Sequence, residues 1–200
     1  MSLVHEKKPS RRQIELREPY SAYRDDLRED FNQSCGYCDD SDHRMDRICF
    51  HIDHFAPKKK FPELENAYSN LVYACRFCNI PKSNHWIGDD PLIHNDGEKG
   101  FVDPCSDAYA EHIGREATGK IIGKTPLGCY IVKRLNLGLL RHQLLWRARR
   151  ARLLREEISP LIEEFRARGF PKGELYVALL EKFRELTIKI EEYEFGAQGG

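Results

Sequence analysis

The chain has 200 residues, which is enough for one domain or for a small module with helical additions. Its 32 basic and 32 acidic residues give a formal net charge of zero, so the overall charge does not indicate a nucleic-acid partner. No apolar run approaches the roughly 18 residues of a membrane span, and the charged N-terminus lacks the apolar stretch of a signal peptide. We therefore expect a soluble, cytoplasmic protein that does not enter a membrane.

The N-terminal part of the chain predicts an arm followed by one helix. Residues 1–20 carry mixed charge and two prolines, which favours an extended or poorly ordered arm. After the arm, Tyr23, Leu27 and Phe31 recur every four residues. This spacing predicts a short amphipathic helix over residues 21–33.

The central segment predicts two strands and a short helix. Residues 48–55 alternate loosely and contain β-branched and aromatic side chains, so they favour a strand that ends before Pro57. Residues 69–74 are expected to form a second strand or its turn. Residues 75–84 are expected to turn into a short helix.

The second half of the chain predicts a hairpin and then helices. Residues 119–125 and 129–135 flank a Pro-Leu-Gly turn, so residues 100–135 are expected to form a short β extension. From residue 136 to residue 195 the apolar side chains follow a helical period, which predicts a C-terminal helical region. Within it, Ser159-Pro160 either caps a new helix or kinks the first one. The predicted fold class is α+β.

Two C-x-x-C pairs enclose most of the central segment and predict a metal site. Each such turn can direct both sulfurs at one ion, and two turns together complete a tetrahedral zinc site. A reducing compartment disfavours disulfides, and seven cysteines is an odd number. We expect a structural Zn²⁺, the alternatives being two disulfides or four buried thiols. The expected ligands are Cys35, Cys38, Cys75 and Cys78, while Cys49, Cys105 and Cys129 are expected to be free.

Groups suited to phosphodiester hydrolysis lie between and beside these pairs. A histidine with a pKa near 6.5 can take a proton from water at neutral pH. A carboxylate can hold a divalent ion that stabilises the negative charge on the phosphate. Asp53 and His54 are adjacent, and Asn70 and Asn79 follow.

The combination resembles the HNH endonuclease family, whose fold is a ββα-metal finger. The residues that carry the resemblance are Cys35-Gly-Tyr-Cys38, Asp53-His54-Phe-Ala-Pro57, Ser69-Asn70-Leu and Cys75-Arg-Phe-Cys78-Asn79. The resemblance covers about a quarter of the chain and implies a zinc-stabilised nuclease core within residues 21–99.

The resemblance also implies roles for single residues. His54 matches the general base, and Asp53 and Asn79 match the ligands of a catalytic Mg²⁺ or Mn²⁺. Asn70 matches the residue that orients the base by fixing the loop. Asn79 stands where the motif ends in His, a variant that looks common in the family, and it leaves the preferred metal open. On this basis Asp53→Ala is expected to remove activity and spare the fold.

Basic side chains near the Asp53-His54 pair predict contacts to nucleic-acid phosphates, although ordinary solvated side chains would look the same in sequence. Lys58–Lys60 stand where the family often has two glycines, so the loop geometry is expected to differ. The run Arg141–Arg155 favours a face for nucleic acid or a partner over a merely solvated face. The predicted phosphate contacts are Lys58, Lys59, Lys60, Arg76, Lys82 and His85.

The predicted function is metal-dependent endonuclease cleavage or nicking of DNA that leaves a 5′ phosphate. Residues 100–137 are more weakly similar to small HNH proteins that occur beside ATPases or in retron units of bacterial anti-phage systems. That similarity implies a partner ATPase and a role as a defence effector. Two alternatives stay open: a non-catalytic zinc-finger module that binds DNA or acts as an adaptor, and a nuclease for RNA such as tRNA.

Overall fold

The computed structural model describes residues 1–43, 49–169 and 173–198. Two compact units make up the chain, residues 1–138 and residues 139–200. The fold is mixed α+β, as the sequence predicted, with two small two-stranded antiparallel sheets in the described residues. No helix in the described part of the chain is long and apolar enough to cross a membrane.

Six α-helices and four strands follow one another in the described residues, besides short 3₁₀ turns. They are α1 (Arg24–Asp30), β1 (Phe50–His54), β2 (Leu71–Cys75), α2 (Arg76–Lys82), α3 (Ala108–His112), β3 (Ile113–Arg115), β4 (Ile121–Gly123), α4 (Pro126–Arg134), α5 (Leu140–Ala167) and α6 (Glu174–Gln198).

The first sheet is the hairpin β1–β2, and α2 follows it without a break. Phe50 pairs with Cys75 and His54 with Leu71, so the hairpin carries Asp53 and His54 at the end far from Cys75. Every residue of β2 is buried, which places this strand in the core of the first unit. The predicted strands and the predicted short helix are confirmed, and residue 48, where the first strand was predicted to begin, lies outside the described residues.

The predicted helix over residues 21–33 is shorter than expected. It begins as a 3₁₀ turn at Tyr20–Tyr23 and continues as α1, which ends before the left-handed residues Asn32 and Gln33. The apolar spacing was nevertheless informative, because all three of its side chains are buried. They are Tyr23, Leu27 and Phe31.

The N-terminal arm is extended and packs on the first unit. Val4 is buried, and Arg11 donates a 2.7 Å hydrogen bond to the carbonyl oxygen of Leu71. The same guanidinium forms an ion pair of 2.8 Å with Asp103. The arm is therefore packed against the rest of the first unit.

The hairpin predicted over residues 119–135 is wrong in its second half. The strand pair is β3–β4, whereas residues 126–134 form helix α4. Thr125 caps this helix by accepting a 3.0 Å hydrogen bond from the backbone N–H of Gly128. Pro126 occupies the first helical position, where its fixed φ suits the helix and its missing N–H costs nothing. The Thr-Pro pair is a helix start that the turn-based prediction overlooked.

The second unit is a pair of long antiparallel helices, α5 and α6. Arg141, near the start of α5, donates to the carbonyl oxygen of Ala197, near the end of α6. The core of the pair contains Ile158 and Ile162 of α5 with Tyr176 of α6. α5 runs through Pro160 without interruption. The predicted helical region is confirmed, and Ser159-Pro160 does not start a new helix.

Candidate functional site

Four cysteine side chains meet inside the first unit. Their sulfur atoms all lie within 4.8 Å of one another, every residue is buried, and none forms a disulfide. The sulfurs of Cys38 and Cys75 are 3.8 Å apart. A tetrahedral zinc site with bonds of about 2.3 Å has edges of about 3.8 Å, so the spacing suits that ion. The cluster consists of Cys35, Cys38, Cys75 and Cys78, as the sequence predicted.

Burial opposes ionisation of these thiols. Burial raises the pKa of Cys38 and Cys78 well above the usual value of a thiol. Burial acts in the same direction on Cys35, but hydrogen bonds with the other three sulfurs bring its pKa well below the usual value. A divalent ion would supply the positive charge that a group of buried thiolates lacks.

Residues far along the chain hold the first Cys pair in place. The hydroxyl of Tyr109 donates a 2.6 Å hydrogen bond to the carbonyl oxygen of Tyr37. Arg115, which is almost fully buried, donates a 2.8 Å hydrogen bond to the carbonyl oxygen of Cys38. The first turn of the metal cluster therefore depends on α3 and β3 as well as on its own spacing.

His54, the last residue of β1, is held as a neutral base. Its Nε2 lies 2.9 Å from the carbonyl oxygen of Glu65, and the ring of Tyr20 packs edge-on at 4.7 Å. A carbonyl oxygen only accepts, so Nε2 carries the proton and Nδ1 keeps its lone pair. Burial lowers the pKa of His54 below 6.5, which keeps the imidazole neutral at pH 7.

Asn70 fixes the loop that follows His54. Its Oδ1 accepts a 2.8 Å hydrogen bond from the N–H of Ala56, and its Nδ2 donates a 2.9 Å hydrogen bond to the carbonyl oxygen of the same residue. Nδ2 also lies 3.3 Å from the carbonyl oxygen of Leu64. The buried amide thus ties both sides of the loop between β1 and β2 together.

Asp53 is buried beside an ammonium group and a phenol. Its carboxylate accepts a 2.5 Å hydrogen bond from the hydroxyl of Tyr37 and lies 3.1 Å from Nζ of Lys82. Burial raises the pKa of Asp53, and the charge of Lys82 and the Tyr37 hydrogen bond oppose that shift. Lys82 also donates a 2.8 Å hydrogen bond to the carbonyl oxygen of His54.

The position of Lys82 corrects one of the predictions from the sequence. Lys82 was expected to contact a phosphate, but its side chain has no exposed surface. Its ammonium group instead bridges Asp53 and the backbone of His54. Lys82 is therefore an internal partner of the Asp53-His54 pair.

A polar cleft of about 330 Å³ opens beside these groups. It is lined by Asp53 and His54 from β1, Asn79 from α2, Lys58 from the intervening loop and Tyr20 from the N-terminal side. The remaining lining residues are Ile52, Pro57, Ile80, Ser83 and Asn84. The structure thus brings three predicted catalytic residues and one predicted phosphate contact to a single opening.

The oxygen donors at this cleft suit a hard divalent cation. The Asp53 carboxylate and the Asn79 side-chain oxygen are the donor types that Mg²⁺ and Mn²⁺ prefer. In the described residues, no set of three or more Cys, His, Asp or Glu side chains with converging ligand atoms includes Asp53. A cation held by this pair would take its other ligands from water and from the substrate phosphate.

Comparison with models of known families identifies this part of the chain. Residues 35–85 match the HNH endonuclease family. The matched stretch, about a quarter of the chain, contains both Cys pairs and the residues Asp53, His54, Asn70 and Asn79. No curated protein and no solved structure matches the chain. The resemblance to the HNH family is confirmed for this domain, and the family points to a nuclease-type function that acts on nucleic acid.

The other predicted phosphate contacts of the HNH domain lie at different positions around it. Lys58 forms a 2.6 Å ion pair with Glu65 and lies over the ring of Tyr20. Lys60 forms an ion pair with Asp89. The exposed side chains Lys59, Arg76 and His85 are not among those that line the cleft.

His51 is a further neighbour of the predicted metal ligands. It lies two residues before Asp53 on β1, and its Nδ1 accepts a 3.0 Å hydrogen bond from Nδ2 of Asn79. This contact directs the amide nitrogen of Asn79 towards His51. The amide oxygen is therefore the atom available to a cation.

Outside the HNH domain, most arginines of the basic run contact α6. Arg141 donates to Ala197, and Arg152 forms an ion pair with Glu194. Arg147 and Arg155 lie over aromatic rings of α6. The sequence favoured a face for nucleic acid or a partner here, and the charged groups of these four residues instead contact α6 within the helix pair.

Sequence reasoning missed two aromatic residues that contact the Asp53-His54 pair. Tyr20 lies outside the matched stretch, and its contact with His54 depends on how the N-terminal segment folds back. Tyr37 stands inside the first C-x-x-C pair, where the metal spacing drew attention to the cysteines alone. Only the position of Tyr37 within a metal turn could have signalled its contact with Asp53.

Proposed function

We propose that this protein is a metal-dependent HNH endonuclease that hydrolyses phosphodiester bonds in DNA. The observation that carries the proposal is the hydrogen bond between Nε2 of His54 and the carbonyl oxygen of Glu65. It leaves Nδ1 of His54 as a proton acceptor in a cleft that Asp53 and Asn79 also line.

In this mechanism, Nδ1 of His54 removes a proton from a water molecule as that water attacks the phosphorus atom. The bond between phosphorus and the 3′ oxygen breaks, and the leaving oxygen takes a proton from solvent. The products carry a 3′ hydroxyl and a 5′ phosphate. A Mg²⁺ or Mn²⁺ ion held by Asp53 and Asn79 would stabilise the negative charge that develops on the phosphate.

The remaining groups of the site position these two functions. Asn70 fixes the loop after His54, and the carbonyl of Glu65 sets the tautomer of the imidazole. Lys82 and Tyr37 hold the carboxylate of Asp53 and favour its ionised form. A structural Zn²⁺ on the four cysteines would hold β2 and α2 in register with the first Cys pair.

DNA is the proposed substrate, and exposed basic residues are the proposed phosphate contacts. Lys58 lines the cleft, and Lys59, Lys60, Arg76 and His85 surround the same domain. We further propose a role as an anti-phage effector with a partner ATPase. That part is supported only by the weaker sequence similarity of residues 100–137.

A plasmid-nicking assay tests the proposal. Wild-type protein with Mg²⁺ or Mn²⁺ is expected to convert supercoiled DNA to nicked or linear forms, and EDTA should prevent it. His54→Ala should lower the rate at least about 100-fold, because general-base catalysis contributes on the order of 10²–10⁴. His43→Ala is the matched control, since His43 is an exposed histidine of the same domain that does not line the cleft.

Three outcomes would contradict the proposal. Equal activity of wild type and His54→Ala in every metal would remove His54 as the base. Tight DNA binding without cleavage would favour the non-catalytic adaptor. Faster digestion of tRNA than of DNA, measured side by side, would favour an RNA nuclease.

A further inference from the structure

Six side chains of α5, here called the outer stripe, lie on one side of the helix. At 3.6 residues per turn they fall within a sector of about 100°. The helix buries Ile158 and Ile162 on a different side, against α6. The outer stripe consists of Trp146, Arg150, Leu153, Leu154, Glu157 and Leu161.

The outer stripe is apolar enough to pack against another helix. Leu153, Leu154 and Leu161 have 40%, 41% and 45% of their surface exposed. The stripe also repeats every seven residues, since Trp146 precedes Leu153 and Leu154 precedes Leu161 by that number. Such a repeat is typical of a helix that packs along a second helix.

The side chains of the outer stripe are arranged so that they can pair with those of a second, antiparallel α5. Its midpoint lies between Leu153 and Leu154, and a cleft of about 340 Å³ is centred there, lined by Arg150, Ala151, Leu153, Leu154 and Glu157. If a second α5 runs antiparallel about this midpoint, Leu153 faces Leu154 of the second copy. Arg150 then faces Glu157, and Trp146 faces Leu161. Every member of the stripe meets a member of matching chemistry.

We propose that two copies of this chain associate through the outer stripes of antiparallel α5 helices. This arrangement is a two-fold interface in which the same surface serves both copies. The helix charges favour it as well. Residues 140–155 contain six arginines and no acidic residue, whereas residues 156–167 contain four glutamates and one arginine. Antiparallel pairing brings these opposite halves together, and parallel pairing would bring like charges together.

A second copy fits this face better than nucleic acid does. Four of the six arginines in residues 140–155 contact α6 through a carbonyl oxygen, a carboxylate or an aromatic ring. Arg150 is largely exposed, but it shares its face with Glu157 and three leucines. A polyanion would meet one exposed arginine beside a carboxylate, whereas a second copy supplies a partner for both charges.

Sedimentation of the full, zinc-loaded chain over a range of concentrations tests the proposal. The mass of the wild type is expected to rise from one chain to two. Arg150→Glu and Glu157→Arg should each weaken self-association by at least about tenfold, because two symmetric pairs become repulsive. The double variant Arg150→Glu/Glu157→Arg should restore it. The two positions are about 10 Å apart along the helix, too far to pair within one chain, so rescue reports on the second copy.

Glu156→Arg is the matched control, because it makes the same charge change at an exposed neighbour outside the stripe. It should leave self-association within about twofold of wild type, and circular dichroism should show equal helix content in all variants. A wild type that stays monomeric at every concentration overturns the proposal. The proposal is also overturned if neither single charge reversal weakens self-association. It is overturned as well if the double variant does not restore the self-association that the single variants lose. Loss of DNA affinity in Arg150→Glu of a monomeric protein would assign the face to nucleic acid instead.

Discussion

The HNH domain and the helix pair α5–α6 each contain an ion pair, and the two pairs differ in burial. In the HNH domain Lys82 has no exposed surface and bridges Asp53 and the backbone of His54 at the cleft. In the helix pair the ion pair between Arg152 and Glu194 lies at a partly exposed edge. The ion pair beside the cleft is therefore buried, whereas the ion pair between the helices keeps some contact with water.

The two regions also differ in what stabilises them. The HNH domain has one short hairpin and one short helix, and it gathers four buried cysteines that suit a zinc ion. The helix pair consists of two long helices whose apolar side chains pack on each other along their length. We therefore expect the first region to depend on metal and the second to be independent of it.

Loss of the metal cluster should have the largest effect. Cys75→Ser, or removal of zinc by a strong chelator, is expected to unfold the HNH domain, because structural zinc contributes on the order of 10 kcal/mol in small zinc domains. The helical signal of α5 and α6 should persist. Metal analysis of the purified chain and circular dichroism at 222 nm measure the two parts.

Cys129→Ser is the control for this change, since Cys129 is an exposed cysteine outside the cluster. It should keep one zinc per chain and the wild-type melting curve. A Cys75→Ser protein that binds no zinc and melts like wild type would show that the HNH domain does not need the ion.

Loss of the buried ammonium group should have the next largest effect. Lys82→Met is expected to cost about 3–5 kcal/mol, because the Asp53 carboxylate would stay buried with its cationic partner removed. Asp53→Ala would leave the ammonium group unpaired in the same way. The structure therefore revises the expectation that Asp53→Ala spares the fold, and Asp53→Asn is the gentler test of its role in activity.

Urea denaturation of the zinc-loaded chain measures this prediction. Lys59→Met is the matched control, because Lys59 is exposed and should change the free energy of unfolding by less than about 0.5 kcal/mol. If Lys82→Met were as stable as that control, the bridge between Lys82 and Asp53 would not exist in solution.

Loss of the ion pair between Arg152 and Glu194 should have the smallest effect on stability. Arg152→Ala is expected to lower the stability of the second unit by about 1 kcal/mol, since both side chains of the pair keep some contact with water. A double-mutant cycle with Glu194→Ala isolates the pair. A coupling energy above about 3 kcal/mol would show that this ion pair stabilises the protein as much as the pair between Lys82 and Asp53 does.

The sequence was most informative where chemistry depends on spacing along the chain. The two C-x-x-C pairs predicted the sulfur cluster, and the order of Asp53, His54 and Asn79 predicted the residues that the cleft gathers. The period of the apolar residues likewise predicted α5 and α6. These signals are local, so they do not require knowledge of how distant segments meet.

The sequence was least informative where a side chain has more than one use. Lys82 looked like a surface phosphate contact, because only the packing of α2 against β1 shows that it is buried. The arginines of α5 looked like a basic face, because the partners of Arg152 and Arg141 lie 42 and 56 residues later on α6. Tyr20 carried no signal at all, since its contact with His54 is long-range.

The contacts that hold the first Cys pair determine how short a fragment of this protein can be and still fold. Arg115 and Tyr109, which follow residue 85, donate hydrogen bonds to backbone carbonyl oxygens of this turn. Arg11, which precedes residue 35, donates one to the carbonyl oxygen of Leu71. A fragment of residues 35–85 alone would lack these hydrogen bonds, and the part of the core that these residues cover would be exposed to water. Truncations meant to retain the finger should therefore be cut near residue 138, where the first compact unit ends.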